Sequence, residues 1–372
     1  MAQTNGKLNN IRKQGFEKTN VELCLMYKRE NTKQIQIGKV AVGHGAPVLV
    51  QSMTKTLTQD IEATIAQINE LAFSGCEIIR CAVPDMQAAQ ALKEICLRSP
   101  IPVVADIHFD YRLALEAAKY VQGLRINPGN IGNEERVKAV VETAREYCLP
   151  IRIGVNSGSL PQNLDRSHPL EEQLVEAALR EIERLHKFDF DNIKISVKAF
   201  DVPATMQAYL ALAQKVPYPL HVGITEAGTG YSGLVRSSVG IGAILSQGIG
   251  DTIRVSLATS PIEEVRAGWE ILKSLNLRQR GVSIIACPTC GRAQAEIKNL
   301  ALQVEEAFKT IDKPLKVAVM GCSVNGPGEA AAADLGIACG EDKGLLFVRG
   351  QKIAVVAETD YIKALLEQAL LL

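Results

Sequence analysis

The sequence lacks several features that would direct it toward large polyanions or membranes. Lysine plus arginine and aspartate plus glutamate number 41 each among 372 residues, so the formal net charge is zero. A neutral chain has no overall attraction to nucleic acid or to an anionic membrane. No apolar run approaches the roughly 20 residues that span a bilayer. The polar start, residues 1–20, also lacks the apolar core of a secretory signal. We therefore expect a cytoplasmic protein that binds neither nucleic acid nor membrane.

Nine cysteines are present, and most of them stand alone. Without an export signal, the chain is expected in a reducing compartment, where disulfides are rare. The cysteines in isolated apolar, helical or glycine-rich stretches are predicted to be small buried hydrophobic residues. These are Cys24, Cys76, Cys81, Cys96, Cys148 and Cys339. The remaining three cysteines follow a pattern of their own, described below.

One theme repeats from about residue 40 to residue 270. A short apolar run rich in β-branched residues ends in polar residues, and an amphipathic helical stretch follows. The runs lie at 47–53, 77–83, 102–108, 123–127, 150–156, 192–198, 219–225 and 251–257. Eight strands that alternate with helices predict an α/β fold, a closed (β/α)8 TIM barrel. A doubly wound open sheet is the alternative.

A second unit is predicted to begin near Gly281. It contains two apolar runs, a helix at about 293–310, short strands and a final helix at 361–371. This pattern indicates a small α+β domain. The expected organisation is a polar N-terminal extension at 1–31, a substrate-binding barrel at 32–275 and a small domain at 281–372.

Charged and polar residues gather at the predicted carboxyl ends of the barrel strands, which line the working face of such barrels. They are Arg80, Asp106, His108, Arg125, Asn127, Arg152, Asn156, Lys194, Lys198, Glu226, Arg254 and Ser256. Only Asp106 and Glu226 among them are carboxylates. So many cations repel one another unless an anion binds between them, and the arginine fork suits phosphate oxygens. The set predicts a phosphorylated small molecule. Alternatively, each arginine pairs with a helix carboxylate and braces the rim.

The three remaining cysteines have the spacing of metal ligands. Cys287 and Cys290 form a Cys-Pro-Thr-Cys motif, and Cys322 lies in a glycine-rich segment after another apolar run. Such a set fits either zinc or an iron–sulfur cluster. No histidine follows His221, so a fourth ligand must be another residue type, and both Cys339 and Glu329 are open choices. A glutamate would be a weakly held ligand that substrate could replace.

The sequence closely resembles the 4-hydroxy-3-methylbut-2-enyl diphosphate synthase family of the non-mevalonate isoprenoid pathway. The resemblance covers about residues 32 to 372 and fits the short, two-domain bacterial form. It is carried by VQSMT (50–54), VADIHFDYRLAL (104–115), LRINPGNIGNEER (124–136), IRIGVNSGSL (151–160), GITEAG (223–228), GIGDTIRVSL (248–257), ACPTCGR (286–292) and GCSVNGPGE (321–329).

The resemblance implies a TIM barrel followed by a small domain similar to a sulfite reductase module. It implies a 4Fe-4S cluster on three cysteines and a glutamate, and reductive opening of 2-C-methyl-D-erythritol 2,4-cyclodiphosphate with two electrons from reduced flavodoxin or ferredoxin. It also implies a homodimer in which the site is shared between subunits. The implied cluster ligands are Cys287, Cys290, Cys322 and Glu329. The implied substrate contacts are Arg80, Arg125, Arg152, Asn156, Lys198, Ser256 and Asn325. The implied catalytic residues are Asp106, His108, Glu226 and Glu329.

Two other functions remain open from the sequence. One is a barrel enzyme that acts on another phosphorylated substrate and holds structural zinc on its cysteines. The other is an iron–sulfur protein that serves as a redox sensor or electron carrier. The presence of iron would distinguish the first from the expected enzyme, and turnover would distinguish the second.

Overall fold

The computed structural model describes residues 28–289, 296–322, 328, 333–340 and 342–372. The chain divides into two units, Met1–Arg278 and Gln279–Leu372. Each unit has its own sheet and its own core.

The first unit is built on eight parallel strands, and the predicted (β/α)8 barrel is confirmed. The strands are numbered after the two strands of an N-terminal hairpin that is described below. In chain order they are β3 (Leu49–Met53), β4 (Ile78–Ala82), β5 (Val103–Asp106), β6 (Gly123–Ile126), β7 (Ile151–Asn156), β8 (Ile193–Lys198), β9 (His221–Val222) and β10 (Thr252–Ile253). Each strand pairs with its neighbour in the order β8-β7-β6-β5-β4-β3-β10-β9. An isolated parallel bridge between Ile195 and Leu220 joins β8 to the start of β9, so the sheet is nearly closed.

Helices follow the strands and cover the outside of the barrel. They are α1 (Ile61–Phe73), α2 (Met86–Arg98), α3 (Tyr111–Ala117), α4 (Pro128–Ile131), α5 (Glu134–Glu146), α6 (Leu170–His186), α7 (Val202–Lys215), α8 (Gly230–Leu245) and α9 (Pro261–Ser274). Several begin after an Asp or Asn whose side chain accepts a hydrogen bond from a first-turn N–H group, as Asp85 does from Ala88. Such caps satisfy backbone donors that have no partner inside the helix.

Side chains alternate between the two faces of each strand, as the pleat requires. On β7, Ile151, Ile153 and Val155 point outward into the core shared with the helices. Arg152 and Asn156 therefore belong to the inward-facing set. The outward positions of the other strands are mostly apolar as well, so these strands pack against the helices through this face, while the basic strand residues face the interior.

An antiparallel hairpin precedes the barrel. It consists of β1 (Ile35–Ile37) and β2 (Val40–Val42), joined at Gly38 and Lys39. Ile37 is 2% exposed and belongs to a cluster with Leu49, Ile78 and Val104, which lie at the lower end of the barrel interior. The hairpin therefore closes the amino-terminal end of the barrel.

The chain immediately before this hairpin is bound to the barrel as well. Residues Arg29–Asn31 form a short 3-10 helix, and Arg29 donates to Asp251 Oδ1 at 3.2 Å. Asp251 is 1% exposed and also accepts from the backbone N–H of Leu220 at 2.8 Å. Arg29, which lies in the segment predicted as an extension, is thus in contact with the barrel.

The second unit is a five-stranded mixed sheet with helices on one face, which agrees with the predicted small α+β domain. Its strands, in spatial order, are β11 (Val282–Ala286), β12 (Leu315–Met320), β13 (Leu335–Cys339), β14 (Lys343–Val348) and β15 (Gln351–Ala357). The first three are parallel and the last two are antiparallel to their neighbours. Helices α10 (Ile297–Phe308) and α11 (Tyr361–Leu371) contribute Val304, Phe308 and Leu365 to its core.

Two details of the elements differ from the sequence-based expectation. The runs at 219–225 and 251–257 contain strands of only two residues each, because the chain leaves the sheet directly after Val222 and Ile253. The helix expected at 293–310 occupies Ile297–Phe308. Within the residues described, no helix is long and apolar enough to cross a membrane.

Candidate active site in the barrel and candidate metal centre

The interior of the barrel is unusually cationic. TIM-barrel interiors are typically filled by branched apolar side chains. Here the apolar layer is confined to the lower end, and basic side chains occupy inward positions above it. These are Arg80, Arg125, Arg152, Lys194, Lys198 and Arg254. All except Arg254 are at most 9% exposed.

Asp106 is the carboxylate around which several of these groups gather. It is 3% exposed and accepts a hydrogen bond from Arg125 Nη1 at 3.0 Å, while Arg80 Nε lies 3.3 Å from its Oδ2. His108 Nε2 lies 3.6 Å from Oδ1. Burial by itself raises the pKa of this carboxyl, but the Coulomb attraction of Arg80 and its other basic neighbours outweighs burial, so the pKa is lowered. Asp106 is therefore ionised and fixes two arginine side chains.

The sequence-predicted residues Arg80, Asp106, His108 and Arg125 are thus brought into one contact network. Burial lowers the pKa of Arg80 to about 10, although Asp106 acts in the opposite direction. His108 is the outermost member, with a side chain that is 55% exposed. The network spans adjacent strands, because β4, β5 and β6 place Arg80, Asp106 and Arg125 near one end of the sheet.

A second network joins Arg80 and Arg254 to two residues that sequence reasoning did not single out, Met53 and Glu264. The thioether sulfur of Met53 accepts from Arg80 Nη2 at 2.9 Å and from Arg80 Nε at 3.2 Å. Arg254 Nη1 lies 3.9 Å from the same sulfur, and Arg254 Nη2 lies 3.7 Å from Oε2 of the buried Glu264 on α9. The alternative in which a helix carboxylate braces an arginine therefore describes Arg254, whereas Arg80 and Arg125 are held by the strand residue Asp106.

Two glycines make room for the cations. A Cβ atom on Gly154 would lie 2.5 Å from Arg125 Nε, and one on Gly223 would lie 2.7 Å from Lys198 Nζ. Real Cβ contacts are not that short, so any larger residue would displace the basic side chain. The need for a glycine here could have been inferred from the sequence, because Gly154 occupies an inward position of β7 between Arg152 and Asn156.

Arg152 and Lys194 lie deeper than we expected. Both were assigned to strand carboxyl ends, but they are the second residues of β7 and β8, and they pair in register. The assignment was wrong, because the runs at 150–156 and 192–198 continue as strand for four residues beyond Arg152 and Lys194. Lys198, at the true end of β8, is 7% exposed. Burial is the main cause that lowers the pKa of Arg152, Lys194 and Lys198, and neighbouring cations lower it further.

The other predicted substrate and catalytic residues of this unit lie around the rim. Asn156 ends β7, and Asn127 caps α4 by accepting from Gly129 N–H at 3.3 Å. Ser256 follows β10, and Glu226 follows β9 as an exposed residue in the left-handed region, with φ of 53°. His221, by contrast, is a core residue: it is fully buried, and its Nδ1 lies 2.8 Å from Thr252 Oγ1.

The second unit places two of the predicted metal ligands at one edge of its sheet. Cys287 follows β11 directly, and its N–H donates to Val319 O on β12 at 3.0 Å. Cys322 follows β12 by two residues. Since β11 and β12 are parallel neighbours, both thiols lie at the same carboxyl edge. Thr289 has φ of 57°, so the backbone turns sharply just before Cys290.

Cys290, Asn325 and Glu329 lie outside the residues that the structure describes. Among those it does describe, no group of three or more His, Cys, Asp or Glu side chains is arranged to hold a metal ion. Cys339, the other possible thiolate, ends β13 and is fully buried in the helix-side core. Burial raises the pKa of its thiol to about 11, and the nearby Glu358 contributes in the same direction. Cys339 is therefore a neutral core thiol.

Comparison with known proteins agrees with this architecture. Residues 32–269 match the GcpE TIM-barrel domain, and residues 283–370 match the GcpE protein C-terminal domain. A dihydropteroate synthase structure from Stenotrophomonas maltophilia covers 66% of this chain and 97% of its own, with a TM-score of 0.51 and 14% identity. That likeness concerns the barrel fold alone.

Three relatives share the name 4-hydroxy-3-methylbut-2-en-1-yl diphosphate synthase (flavodoxin). The protein from Dehalococcoides mccartyi is 59% identical over 344 residues, which cover 92% of this chain and 99% of that protein. The Geobacter sulfurreducens protein is 55% identical over 343 residues, covering 91% and 97%. The Thermodesulfovibrio yellowstonii protein is 54% identical over 346 residues, covering 92% and 99%. The predicted resemblance is confirmed, and the chain belongs to the GcpE family.

Proposed function

We propose that this chain is a 4-hydroxy-3-methylbut-2-enyl diphosphate synthase. It would open the ring of 2-C-methyl-D-erythritol 2,4-cyclodiphosphate and remove one hydroxyl as water, using two electrons. The observation that carries the proposal is the excess of buried cations over carboxylates inside the barrel, which fits a small molecule with two phosphate groups. The names of the relatives support flavodoxin as the electron donor, and ferredoxin is the second choice.

The basic residues would bind and orient the diphosphate. Arg80 and Arg125 are already held by Asp106, so little side-chain entropy is lost when they meet phosphate oxygens. Arg152 and Lys198 add positive charge below and beside them. Because these groups are buried, their attraction for an anion is stronger than in water. We further propose that Asn156, Ser256 and Asn325 complete the contacts to the substrate.

Proton transfer requires groups near the carbon skeleton. Asp106 is ionised and locked between arginines, so its role would be to hold the two guanidinium groups in position for the substrate. His108 and Glu226 stand at the rim, where both are solvent-accessible. We propose that Glu226 handles the proton needed for the departing water, with His108 as a second group within reach of Asp106.

The second unit would hold a 4Fe-4S cluster through Cys287, Cys290, Cys322 and Glu329. The donor set fits: two thiols share one sheet edge, a turn precedes the third, and thiolates are the usual ligands of such clusters. When bound, the cluster supplies single electrons and a Lewis-acidic iron. A carboxylate at the fourth position would be replaceable by substrate. The predicted domain limits, the homodimer with a shared site and the cytoplasmic location remain part of this proposal.

The two rival functions are less well supported. A structural zinc site would need a fourth strong ligand, and the burial of Cys339 in the core argues against that thiol. An electron carrier or redox sensor would not need a barrel interior lined by buried cations. Neither rival is favoured by a specific observation.

Anaerobic purification followed by iron, sulfide and zinc analysis tests the proposal. We expect about four irons and four sulfides per chain, and turnover of the cyclic diphosphate with a low-potential reductant. Zinc in place of iron, or a cluster-loaded protein that fails to turn over the cyclic diphosphate, would contradict it. The matched control is Cys76→Ala, which removes a buried thiol inside the barrel unit and should leave the iron content unchanged.

A further inference from the structure

A small cavity lies below the cationic network, between the N-terminal hairpin and the interior of the barrel. Ile37 of the hairpin and Val104 of β5 contribute its apolar wall, while Gln51, Arg152 and Lys194 contribute polar groups. All of these residues are buried. The cavity has room for about one water-sized species. A diphosphate could not enter it.

Four buried polar atoms of the residues around this cavity have no hydrogen-bond partner within the protein. Nε and Nη1 of Arg152, Nζ of Lys194 and Oε1 of Gln51 are all buried and unpaired. These side chains belong to residues that are 4%, 2% and 3% exposed, respectively. Buried polar groups are normally paired, because an unpaired one loses its water without compensation. Several such groups around one cavity therefore indicate a bound species.

The charge at this level also lacks compensation. Arg152 and Lys194 are register partners on adjacent strands, so their positive charges are close. Burial and the positive charge of Arg152 lower the pKa of Lys194. The negative charge of Asp251 raises it, but does not outweigh them. Asp251 is already engaged by Arg29 and by the N–H of Leu220. Asp106 is likewise engaged by Arg80 and Arg125.

We propose that this cavity binds one small monovalent anion of the size of chloride. The ion would accept hydrogen bonds from Arg152 and Lys194 and would neutralise one charge beneath the active site. Gln51 can join by rotating its amide so that the NH2 group faces the ion, because the two orientations occupy almost the same space. A single water would satisfy the hydrogen bonds but leave two like charges adjacent. This inference does not depend on the proposed reaction.

Crystals of the full chain grown in sodium bromide provide the direct test. We expect an anomalous bromide peak in the cavity, within hydrogen-bonding distance of Lys194 Nζ and Arg152. The peak should be absent from crystals of Lys194→Met, which removes the charge but keeps an unbranched chain. A wild-type map without anomalous signal at this place would overturn the proposal, and a peak that persists in the variant would do so too.

A solution experiment gives an independent result. Sodium gluconate, whose anion is too large for the cavity, replaces sodium chloride at constant ionic strength while Tm is measured. We expect chloride to raise Tm by about 3 °C in the wild type and in Lys39→Met, a variant of an exposed lysine in the hairpin turn. Lys194→Met should show no such rise. An equal chloride response in all three proteins would contradict a specific site.

Discussion

Asp106 combines full burial with contacts to two arginines, and this makes it important for stability as well as for the site. Its folded-state pKa is lowered, so it contributes stability that is fully present above its unfolded pKa of about 4 and lost as the pH falls below that value. We expect Asp106→Asn to lower the free energy of unfolding by about 3–5 kcal/mol at pH 7, because Arg80 and Arg125 lose their counter-charge. The deficit should shrink as the pH falls from 4 toward 3.

Urea unfolding at several pH values measures this difference. Asp360→Asn is a suitable control, because Asp360 is exposed and makes no side-chain hydrogen bond to the helix that it precedes. The free energy of unfolding of this control should stay within about 0.5 kcal/mol of the wild-type value at every pH. A deficit for Asp106→Asn that did not change with pH would show that the charge of Asp106 is not the cause.

Gly154 offers a second test at the scale of one residue. An added Cβ would lie 2.5 Å from Arg125 Nε and 2.8 Å from Nη2, so the guanidinium must move. If Arg125 binds a substrate phosphate, Gly154→Ala should raise KM roughly 10- to 100-fold, which corresponds to the loss of one charged hydrogen bond. Steady-state kinetics are the measurement. Gly158→Ala is the matched control, since its Cβ would meet nothing within 4 Å and KM should stay unchanged.

The sequence allowed the types of the site residues in the barrel to be predicted better than their depth. Arg80, Asp106 and Arg125 were expected together, and they are in contact. Arg152 and Lys194 were placed at the rim, although they lie inside. Inward and outward positions follow from the alternation along a strand, but the level at which a long basic side chain ends depends on its neighbours across the barrel. The contact of the Met53 sulfur with Arg80 could not be inferred, because a methionine in an apolar run usually packs in a hydrophobic core.

At the scale of single elements, the N-terminal hairpin is an essential part of the barrel. Ile37 packs against Leu49 and Ile78 at the lower end of the interior and is 2% exposed. We expect Ile37→Ala to lower the free energy of unfolding by about 2–5 kcal/mol, through lost burial and the cavity left behind. Gln36→Ala, at the neighbouring exposed position, should change it by less than about 0.5 kcal/mol. Equal effects in denaturant unfolding would mean that the hairpin does not close the barrel.

The eight barrel strands were predictable because each is a short apolar run bounded by polar or glycine-containing turns. The hairpin at 35–42 was not predicted, although isoleucine alternates with polar residues up to Gly38, whose φ of +60° suits a tight turn. Its strands have only three residues each, too few for a periodic signal. The closure of the barrel by a single bridge at Ile195 and Leu220 is a tertiary feature that no local pattern reveals.

Cys322 and Cys339 both lie near the carboxyl ends of the parallel strands β12 and β13, but Cys339 is distinguished by its burial in the helix-side core. Cys322 follows β12 at the edge shared with Cys287, whereas Cys339 faces the helix-side core with Tyr361. We expect Cys339→Ala to keep the full iron and sulfide content after anaerobic purification. Cys322→Ala should lose most of it, because a three-ligand set cannot hold the cluster as tightly. Loss of iron from Cys339→Ala in a protein that remains folded by circular dichroism would instead favour Cys339 as a ligand.

At the scale of the whole molecule, a net charge of zero conceals an uneven distribution of charge. Basic groups are concentrated inside the barrel, while exposed acidic side chains such as Glu62 and Glu134 pair with basic partners on the outer helices. A surface pair of this kind contributes little free energy. A buried cation without a partner creates a strong local potential. The overall composition therefore gave no indication of anion binding, which depends on where the charges lie.

The division of the chain into two units, each with its own core, leads to a prediction about a fragment. The barrel core involves residues of the first unit alone, and Arg278 anchors its end by hydrogen bonds to Val48 O at 2.9 Å and Glu77 Oε2 at 2.7 Å. We expect the fragment 28–278 to fold, to contain no iron and to bind inorganic pyrophosphate. Isothermal titration calorimetry should show affinity that falls as salt is added, because the attraction is ionic.

The same fragment carrying Gly154→Ala should bind pyrophosphate roughly tenfold more weakly, whereas the fragment with Gly158→Ala should match the unmodified one. A folded fragment that does not bind pyrophosphate would indicate that the buried cations stabilise the barrel and do not bind an anion. Binding that is equal in all three fragments would place the anion away from Arg125. Because the fragment lacks every cysteine proposed as a cluster ligand, these results test anion binding separately from electron transfer.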